Sequence, residues 1–421
     1  MEISPEERIS TARMALPKAT GEARYVSDIQ VEDVLYGHVV RSMYPHAKIS
    51  SIDTTAAKQI DGVVAVVVAS NIPGINRLGK TRFDQPILAE DKVRSVQDGI
   101  VLIAAESKQA ALRAEAALKL DLEPLPGVFS IDEALASGAP VVHDDRPSNI
   151  LKTIQLNHGN VEEGFRQAAL IIEDCYQTPS IEHSYFEPDN GVIQPHKDGY
   201  ILWIGCHSVY TEQQIAAAVL NIPEDKVTVI QPYTGGSFGG KDDGLLTGYL
   251  ALLAHYAKRP VRISFSRHDL FISHTKRHPQ WIQIRMGLGK DGQITAAEIR
   301  IKTDTGAYAH WGEGIFTFAS IGASGPYNIP NIRVNTQLVY TNNVPMGAMR
   351  AWGMPGVTFA MESHLDQAAK SLGLHPLALR WKNAAMDGDL MATGWPLPEG
   401  VHIQETISAA AERFGVSLEG Q

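Results

Sequence analysis

Four glycines within six positions constrain this chain more than any other feature. They lie in the run Gly235-Gly236-Ser237-Phe238-Gly239-Gly240-Lys241-Asp242-Asp243. Glycine reaches positive φ without a Cβ penalty and lets backbone approach a neighbour closely. The run falls between a strand-like stretch, Val227 to Gln231, and a helix-like stretch starting near Gly244. A glycine-rich turn from strand into helix points backbone N–H groups at an anion, so the spacing implies a phosphate or oxyanion cradle.

The same run excludes some owners of that anion. Gly235-x-x-x-x-Gly240-Lys241 satisfies most of a P-loop, but Asp242 stands where the Mg²⁺-binding hydroxyl belongs, and a carboxylate there repels phosphates. No GxGxxG accompanies it. A purely structural glycine turn remains open at this point. The net charge of −10 disfavours a nucleic-acid partner. The two cysteines, Cys175 and Cys206, are too few for a disulfide scaffold or a cysteine-bound cluster and read as two small buried thiols. The acidic start, with no apolar h-region, and the lack of a long apolar run read as a cytoplasmic protein with no signal peptide and no membrane span.

At 421 residues, more than one core is expected. Residues 1–20 read as an extended leading segment. Strands are expected at 35–40, 62–69 and 100–104, with helices at 54–59 and 107–117, which makes residues 1–125 an α+β domain. Pro and Gly cluster between 124 and 150, read as a linker. From 151 to 421, strands are expected at 169–176, 191–194, 200–205, 227–231, 261–266, 281–288 and 294–303. Helices are expected at 210–220, 245–258, 359–372, 376–383 and 405–414, the second with Leu246, Leu250, Leu253 and Ala257 on one face.

The glycine run resembles the GGxFGGK[ED] loop of the molybdenum hydroxylases, the xanthine dehydrogenase and aldehyde oxidase family. Other stretches share the resemblance in order: Leu220-Asn221-Ile222-Pro223, Lys258-Arg259-Pro260-Val261-Arg262, Asp304-Thr305-Gly306-Ala307-Tyr308 and Tyr327-Asn328-Ile329-Pro330-Asn331. The run Ala348-Met349-Arg350-Ala351-Trp352-Gly353-Met354-Pro355 resembles the second family signature, AFRGFGGPQ. Upstream, Gly21 to Tyr25 and Arg41 to Ala47 resemble the N-terminal domain. The resemblance implies an α+β chain, with a hammerhead-like domain over 1–125 and the first half of a molybdopterin-binding domain over 151–421.

It also implies a cofactor, molybdenum on a molybdopterin, in some members as a cytosine dinucleotide. The implied activity is hydroxylation of an electrophilic carbon of an N-heterocycle, of purine or nicotinate type, with oxygen from water. Hydride passes to the metal centre, and electrons pass to iron–sulfur clusters and FAD on partner subunits. By resemblance, Gly236, Phe238 and Gly239 approach the metal's ligands and Arg350 lies near the pterin. Trp352 matches a ring that stacks on substrate, and Asp242 an acidic residue that faces substrate in purine-oxidising members. Asp242 or Asp243 alternatively caps the following helix, and Lys241 is expected to pair locally. His207 stands where the family has a glutamine, and Phe318 where xanthine enzymes have a purine-anchoring arginine. No side chain is expected to ligate the metal.

No match to the family's catalytic glutamate segment occurs in these 421 residues. The expectation is a large subunit split over two polypeptides, as in nicotinate-dehydrogenase-like members, with the base on a second molybdopterin-domain subunit. Other readings are an aldehyde-oxidising member and a catalytically incomplete fragment with a non-enzymatic role.

Overall fold

The computed structural model describes residues 15–418. The chain gathers into two compact units, Met1–Pro126 with His183–Thr275, and Gly127–Glu182 with Lys276–Gln421. Each unit is thus assembled from two separated stretches of sequence.

The first unit is organised by a seven-stranded sheet. Its order is Val227–Ile230, Gly199–Ile204, Asn190–His196, Val261–Ser264, Leu35–Arg41, Gly99–Ala105 and Val63–Val68. The first and fourth of these six pairings are parallel and the rest antiparallel. Gly99–Ala105 is buried at every residue, which is where an apolar run without alternation belongs. Against the sheet lies the helix Leu245–Ala257, buried at every position from Leu245 to Ala254. A helix apolar all round has to be enclosed. Leu35, Leu102, Ile193 and Leu202 of the sheet, with Ala216 and Leu220 of the helix Val209–Leu220, supply that enclosure. A second cluster joins Ala110, Ala111 and Ala114 of the helix Lys108–Ala117 to Val101 and Ile103. Ser107 caps this helix by accepting the Ala110 N–H. A three-stranded sheet of Lys92–Val93, Ala47–Asp53 and Lys119–Pro124 completes the unit.

The second unit is built on a five-stranded sheet, Ile150–His158, Ile332–Tyr340, Ile294–Gly306, Gln280–Leu288 and Leu170–Thr178. Only the pairing of Ile294–Gly306 with Ile332–Tyr340 is parallel. The long helix Met354–Leu372 buries Val357, Ala360, Met361, Leu365 and Ala368 in one cluster with Ile282, Ile284, Ile299 and Val334. Val128, Ala134, Leu151, Tyr308, Phe316 and Tyr340 form a separate cluster.

Several expectations change. Residues 15–20 are helical rather than extended, and the rest of that segment lies outside the described residues. The helix expected at 54–59 is only a 3₁₀ turn, Ala57–Gln59. The expected linker at 126–150 carries a capped helix, Ile131–Leu135, and buries Val128, Ala134 and Val142, so it is packed structure. The helix at 245 has no polar face to set against Leu246 and Leu250. Cys206 is buried, but Cys175 is exposed, because the alternation of its strand turns it away from the core. The stretch after residue 151 was expected to be one domain, whereas its contacts divide between the two units. Among the described residues no helix is long and apolar enough to cross a membrane.

Leu250 is fully enclosed. Leu250→Ala is expected to lower stability by about 2–5 kcal/mol, read from the chemical unfolding midpoint.

Candidate functional site

In the first unit the glycine run leaves the edge strand Val227–Ile230 and returns as the N-terminus of Leu245–Ala257. Its glycines divide into two roles. Gly236 and Gly239 adopt φ of +99° and +103°, closed to ordinary side chains. Gly235 and Gly240 are needed for close approach: a Cβ would stand 2.4 Å from Glu187 Cβ at the first and 2.6 Å from the Tyr185 ring at the second. Phe238 is itself left-handed, with φ 54°, and its ring is half exposed. A non-glycine residue so placed stores strain, which surrounding contacts must outweigh.

Those contacts sit at the ends of the run. The Gly235 N–H donates to Glu187 Oε2 at 2.8 Å, and the Lys241 ammonium donates to the same oxygen at 2.8 Å. Ser237 closes the turn by accepting from the Gly240 N–H at its carbonyl and from the Lys241 N–H at its hydroxyl. Among the described residues no acceptor meets the N–H groups of Gly236, Ser237, Phe238 and Gly239. Four neighbouring donors in a constrained loop are the arrangement that receives an electron-rich oxygen.

His207 is held beside the loop by its backbone, whose N–H donates to the Lys241 carbonyl at 2.9 Å, and its side chain is exposed. Asp242 points elsewhere. It is buried, and its carboxylate meets Lys80 Nζ at 3.1 Å. Asp243 performs the capping, accepting the Leu245 N–H at 3.0 Å. Lys241, expected to pair locally, pairs instead with Glu187, 54 residues earlier in the sequence.

Under the loop lies a concentration of buried charge that sequence reasoning missed. Asp189 Oδ2 and Asp243 Oδ2 stand 3.2 and 3.7 Å from His274 Nε2, and the Tyr185 hydroxyl donates to Asp189. Burial pushes both carboxyls up. For Asp189, His274, Lys241 and Tyr185 outweigh burial and hold it below the usual range. For Asp243, His274 does not suffice, and the charges of Asp189 and Asp242 help keep it above that range. Glu212, on the helix Val209–Leu220, accepts from the Thr247 hydroxyl; burial pushes its carboxyl up to about 7. The Cys206 thiol is pushed up to about 12, first by burial and then by the Glu212 charge, which makes it an inert packing group. Asp242 and Asp243 adjoin a glycine motif, but no local pattern links Glu187, Asp189 or Glu212 to it.

In the second unit Arg350 begins an unusual stretch. Ala351, Trp352 and Gly353 follow at φ 72°, 41° and 79°, three left-handed residues in succession before the helix Met354–Leu372. The Arg277 guanidinium donates to the Arg350 carbonyl at 2.9 Å. The Arg350 side chain is exposed and makes no ion pair among the described residues. Trp352 lies 5.0 Å, centroid to centroid, from Trp311 and 5.9 Å, edge to face, from Phe318, which is 56% exposed. Trp311 was not singled out from sequence. Its signal was its position seven residues before Phe318, two turns away on the helix Gly312–Ile321 that Trp311 precedes. The loop residues and His207 thus belong to one unit, and Arg350, Trp352 and Phe318 to the other.

Residues 142–384 match the family described as molybdopterin cofactor-binding domain. Residues 20–126 match the one described as aldehyde oxidase and xanthine dehydrogenase, a/b hammerhead domain. The nicotinate dehydrogenase large molybdopterin subunit of Eubacterium barkeri is 37% identical, over 95% of this chain and 94% of its own length. A probable xanthine dehydrogenase subunit of Bacillus subtilis is 40% identical, over 89% of this chain and 50% of its own length. The solved aldehyde oxidoreductase from Desulfovibrio gigas superposes with a TM-score of 0.88 at 28% identity, covering 96% of this chain and 46% of that one. The chain therefore spans nearly all of one relative and about half of the other two.

Glu212 generates a pH dependence. Its folded pKa lies above its ordinary value of 4.5, so the folded chain holds a proton that the unfolded chain releases. Stability then falls as pH rises from about 4.5 through 7 and levels off above that. The groups acting on it are Thr247, Asp243, Lys80 and Asp242. Between pH 5 and 8 the wild-type chain is expected to lose about 2–3 kcal/mol more stability than Glu212→Gln, measured by urea unfolding across that range.

Proposed function

The chain belongs to the aldehyde oxidase and xanthine dehydrogenase family of molybdopterin-binding oxidoreductases, and from that premise we propose that it is the cofactor-holding subunit of a hydroxylase for planar N-heterocycles. The observation that carries the reading is the row of four unengaged N–H groups at Gly236, Ser237, Phe238 and Gly239. These donors fit an anionic, oxygen-bearing cofactor, because charged acceptors gain most from fixed backbone dipoles. When bound, the molybdenum–pterin group supplies the two-electron oxidising chemistry that no side chain of this protein has.

The chain's own residues bind and orient. The loop donors hold electron-rich oxygens, with the exposed His207 beside them. Arg350, always charged and without an ion-pair partner among the described residues, is available to an anionic part of the pterin, for which a guanidinium fork is well shaped. In the second unit Trp352, Trp311 and Phe318 present rings that orient a flat substrate by stacking. That apolar group favours a planar ring over a small aliphatic aldehyde, and it offers no cation at Phe318 for a purine. Nicotinate stands in the name of the Eubacterium barkeri relative, which supports the same class.

The general base is assigned to a second chain. The carboxylates grouped under the loop, Glu187, Asp189, Glu212, Asp242 and Asp243, are buried or engaged within the unit, which supports placing the base elsewhere. The working assembly proposed is this subunit, a second molybdopterin-domain subunit with the glutamate, an iron–sulfur subunit and an FAD subunit, in the cytoplasm. The pterin is proposed as a cytosine dinucleotide.

The test is co-expression with the neighbouring subunits, followed by metal and pterin analysis. Wild-type protein is expected to carry molybdenum and pterin, and Arg350→Ala to lose roughly 10- to 100-fold in retention, the worth of one charge-assisted contact of about 1.5–3 kcal/mol. Metal-free wild-type protein from such an assembly would remove the proposal. For substrate class, Trp352→Ala is expected to raise KM for nicotinate or hypoxanthine by about tenfold, since a stacked ring contributes around 1 kcal/mol beyond its buried area. Faster turnover of acetaldehyde than of any heterocycle would replace this substrate class with aldehydes.

A further inference from the structure

We propose that Glu187 is the positioning residue of the glycine loop: a single carboxylate oxygen staples both ends of the loop and keeps the four N–H groups between them directed at an anionic ligand. The inference rests on the reading of the loop as a cofactor cradle, and it extends that reading to a residue that lies outside every motif found in the sequence.

The geometry is specific to the two ends. Glu187 Oε2 accepts from the N–H of Gly235, where the run begins, and from the ammonium of Lys241, where it ends, each at 2.8 Å. The Glu187 N–H donates in turn to the Gly235 carbonyl at 3.1 Å, so backbone and side chain of one residue grip the same loop glycine. That approach requires glycine, because a Cβ on Gly235 would stand 2.4 Å from Glu187 Cβ. Lys241 is held as well: its side chain is 2% exposed, and its ammonium lies 5.0 Å from the centre of the Tyr185 ring. The grip has a firm base, since the Arg267 guanidinium donates to the carbonyls of Tyr185 and Phe186, just before Glu187.

The second carboxylate oxygen, Oε1, is buried and receives no donor among the described residues. A carboxylate serving only to neutralise Lys241 would have no need of the Gly235 N–H. The bond from the Gly235 N–H ties the carboxylate to the start of the loop as well. Gly236, Phe238 and Gly239 hold positive φ in a loop fixed at 235 and 241 and closed internally by Ser237. Such preorganisation places donors before the anion arrives and lowers the ordering cost of binding.

A buried ion pair can be replaced by apolar side chains of similar volume at little cost in stability, whereas removing one partner leaves an uncompensated charge. The decisive comparison is therefore between two neutral pairs in the full assembly. Glu187→Gln/Lys241→Met keeps an oxygen for the Gly235 N–H, and Glu187→Met/Lys241→Met does not. Three quantities are measured: melting temperature, hydrogen exchange of the Gly240 and Lys241 amides that Ser237 holds, and pterin and molybdenum content per chain.

The methionine pair is expected to melt near wild type, to exchange these two loop amides about tenfold faster, and to lose most of its pterin. The glutamine pair is expected to stay near wild type in all three. Equal loop exchange in the two variants overturns the staple, since the retained oxygen would then have no effect. Should the methionine pair fail to fold, Glu187→Ser/Lys241→Met, too short to reach Gly235, takes its place. Wild-type protein without pterin would defeat the cofactor reading, while the exchange comparison would still decide the staple.

Discussion

The enclosure of the helix Leu245–Ala257 is the constraint on which the first unit depends. Ten consecutive residues of it are buried, so strands and a second helix must surround it, and its N-terminus is brought beneath a polar surface. The first N–H groups of a helix have no intrahelical partner and carry partial positive charge. Asp243 meets one of them, and Asp242 and Glu212 lie near the same end. The acidic character of this region is thus a consequence of where the helix begins. The glycine loop is the short connection that joins that end to the edge strand.

Buried charge next to a binding loop has to be balanced group by group. Glu187 is answered by Lys241, Asp242 by Lys80 and Asp189 by His274. Asp243 shares His274 with Asp189, Glu212 has only the Thr247 hydroxyl, and burial keeps both above the usual carboxylate range. The arrangement gives rigidity more than net stability, because desolvation offsets much of the attraction in such pairs. Rigidity is what a loop of positive-φ residues needs if its donors are to stand ready for an anion. The second unit uses a comparable strategy with fewer charges: Arg277 holds the carbonyl of Arg350, and the left-handed residues that follow carry Trp352 against Trp311 and Phe318.

Much of the fold was legible because its signals are local. Pro376–Asn383 matches the expected helix at both ends, and Val209–Leu220 ends at Asn221 in the left-handed conformation, just before Pro223. Ile332–Tyr340 went unclaimed although Ile332, Val334, Thr336 and Leu338 alternate inward, a period-two pattern. No local pattern could supply its parallel register with Ile294–Gly306, which is set by strands far apart in sequence. The region 126–150 was misjudged for a related reason. Its Pro and Gly mark turns correctly, but whether the intervening Val128, Ala134 and Val142 are buried depends on Tyr308, Phe316 and Tyr340, more than a hundred residues on.

The candidate site divides in the same way. The glycine spacing was readable as an anion-binding turn, whereas Arg350 and Trp352 were singled out only by the resemblance of their run to a family signature. The role of each glycine, the engagement of Asp242 by Lys80, and the parts played by Glu187, Glu212 and Trp311 were not legible in either way. Glu187 meets a loop that begins 48 residues later, and Lys80 reaches an aspartate 162 residues away. One-dimensional order carries propensity, periodicity and capping, because these are interactions among near neighbours. Which buried charge meets which, and therefore which carboxylate is engaged and which backbone donor is left open, is decided only when distant segments are packed into a low-dielectric interior that tolerates no unpaired ion.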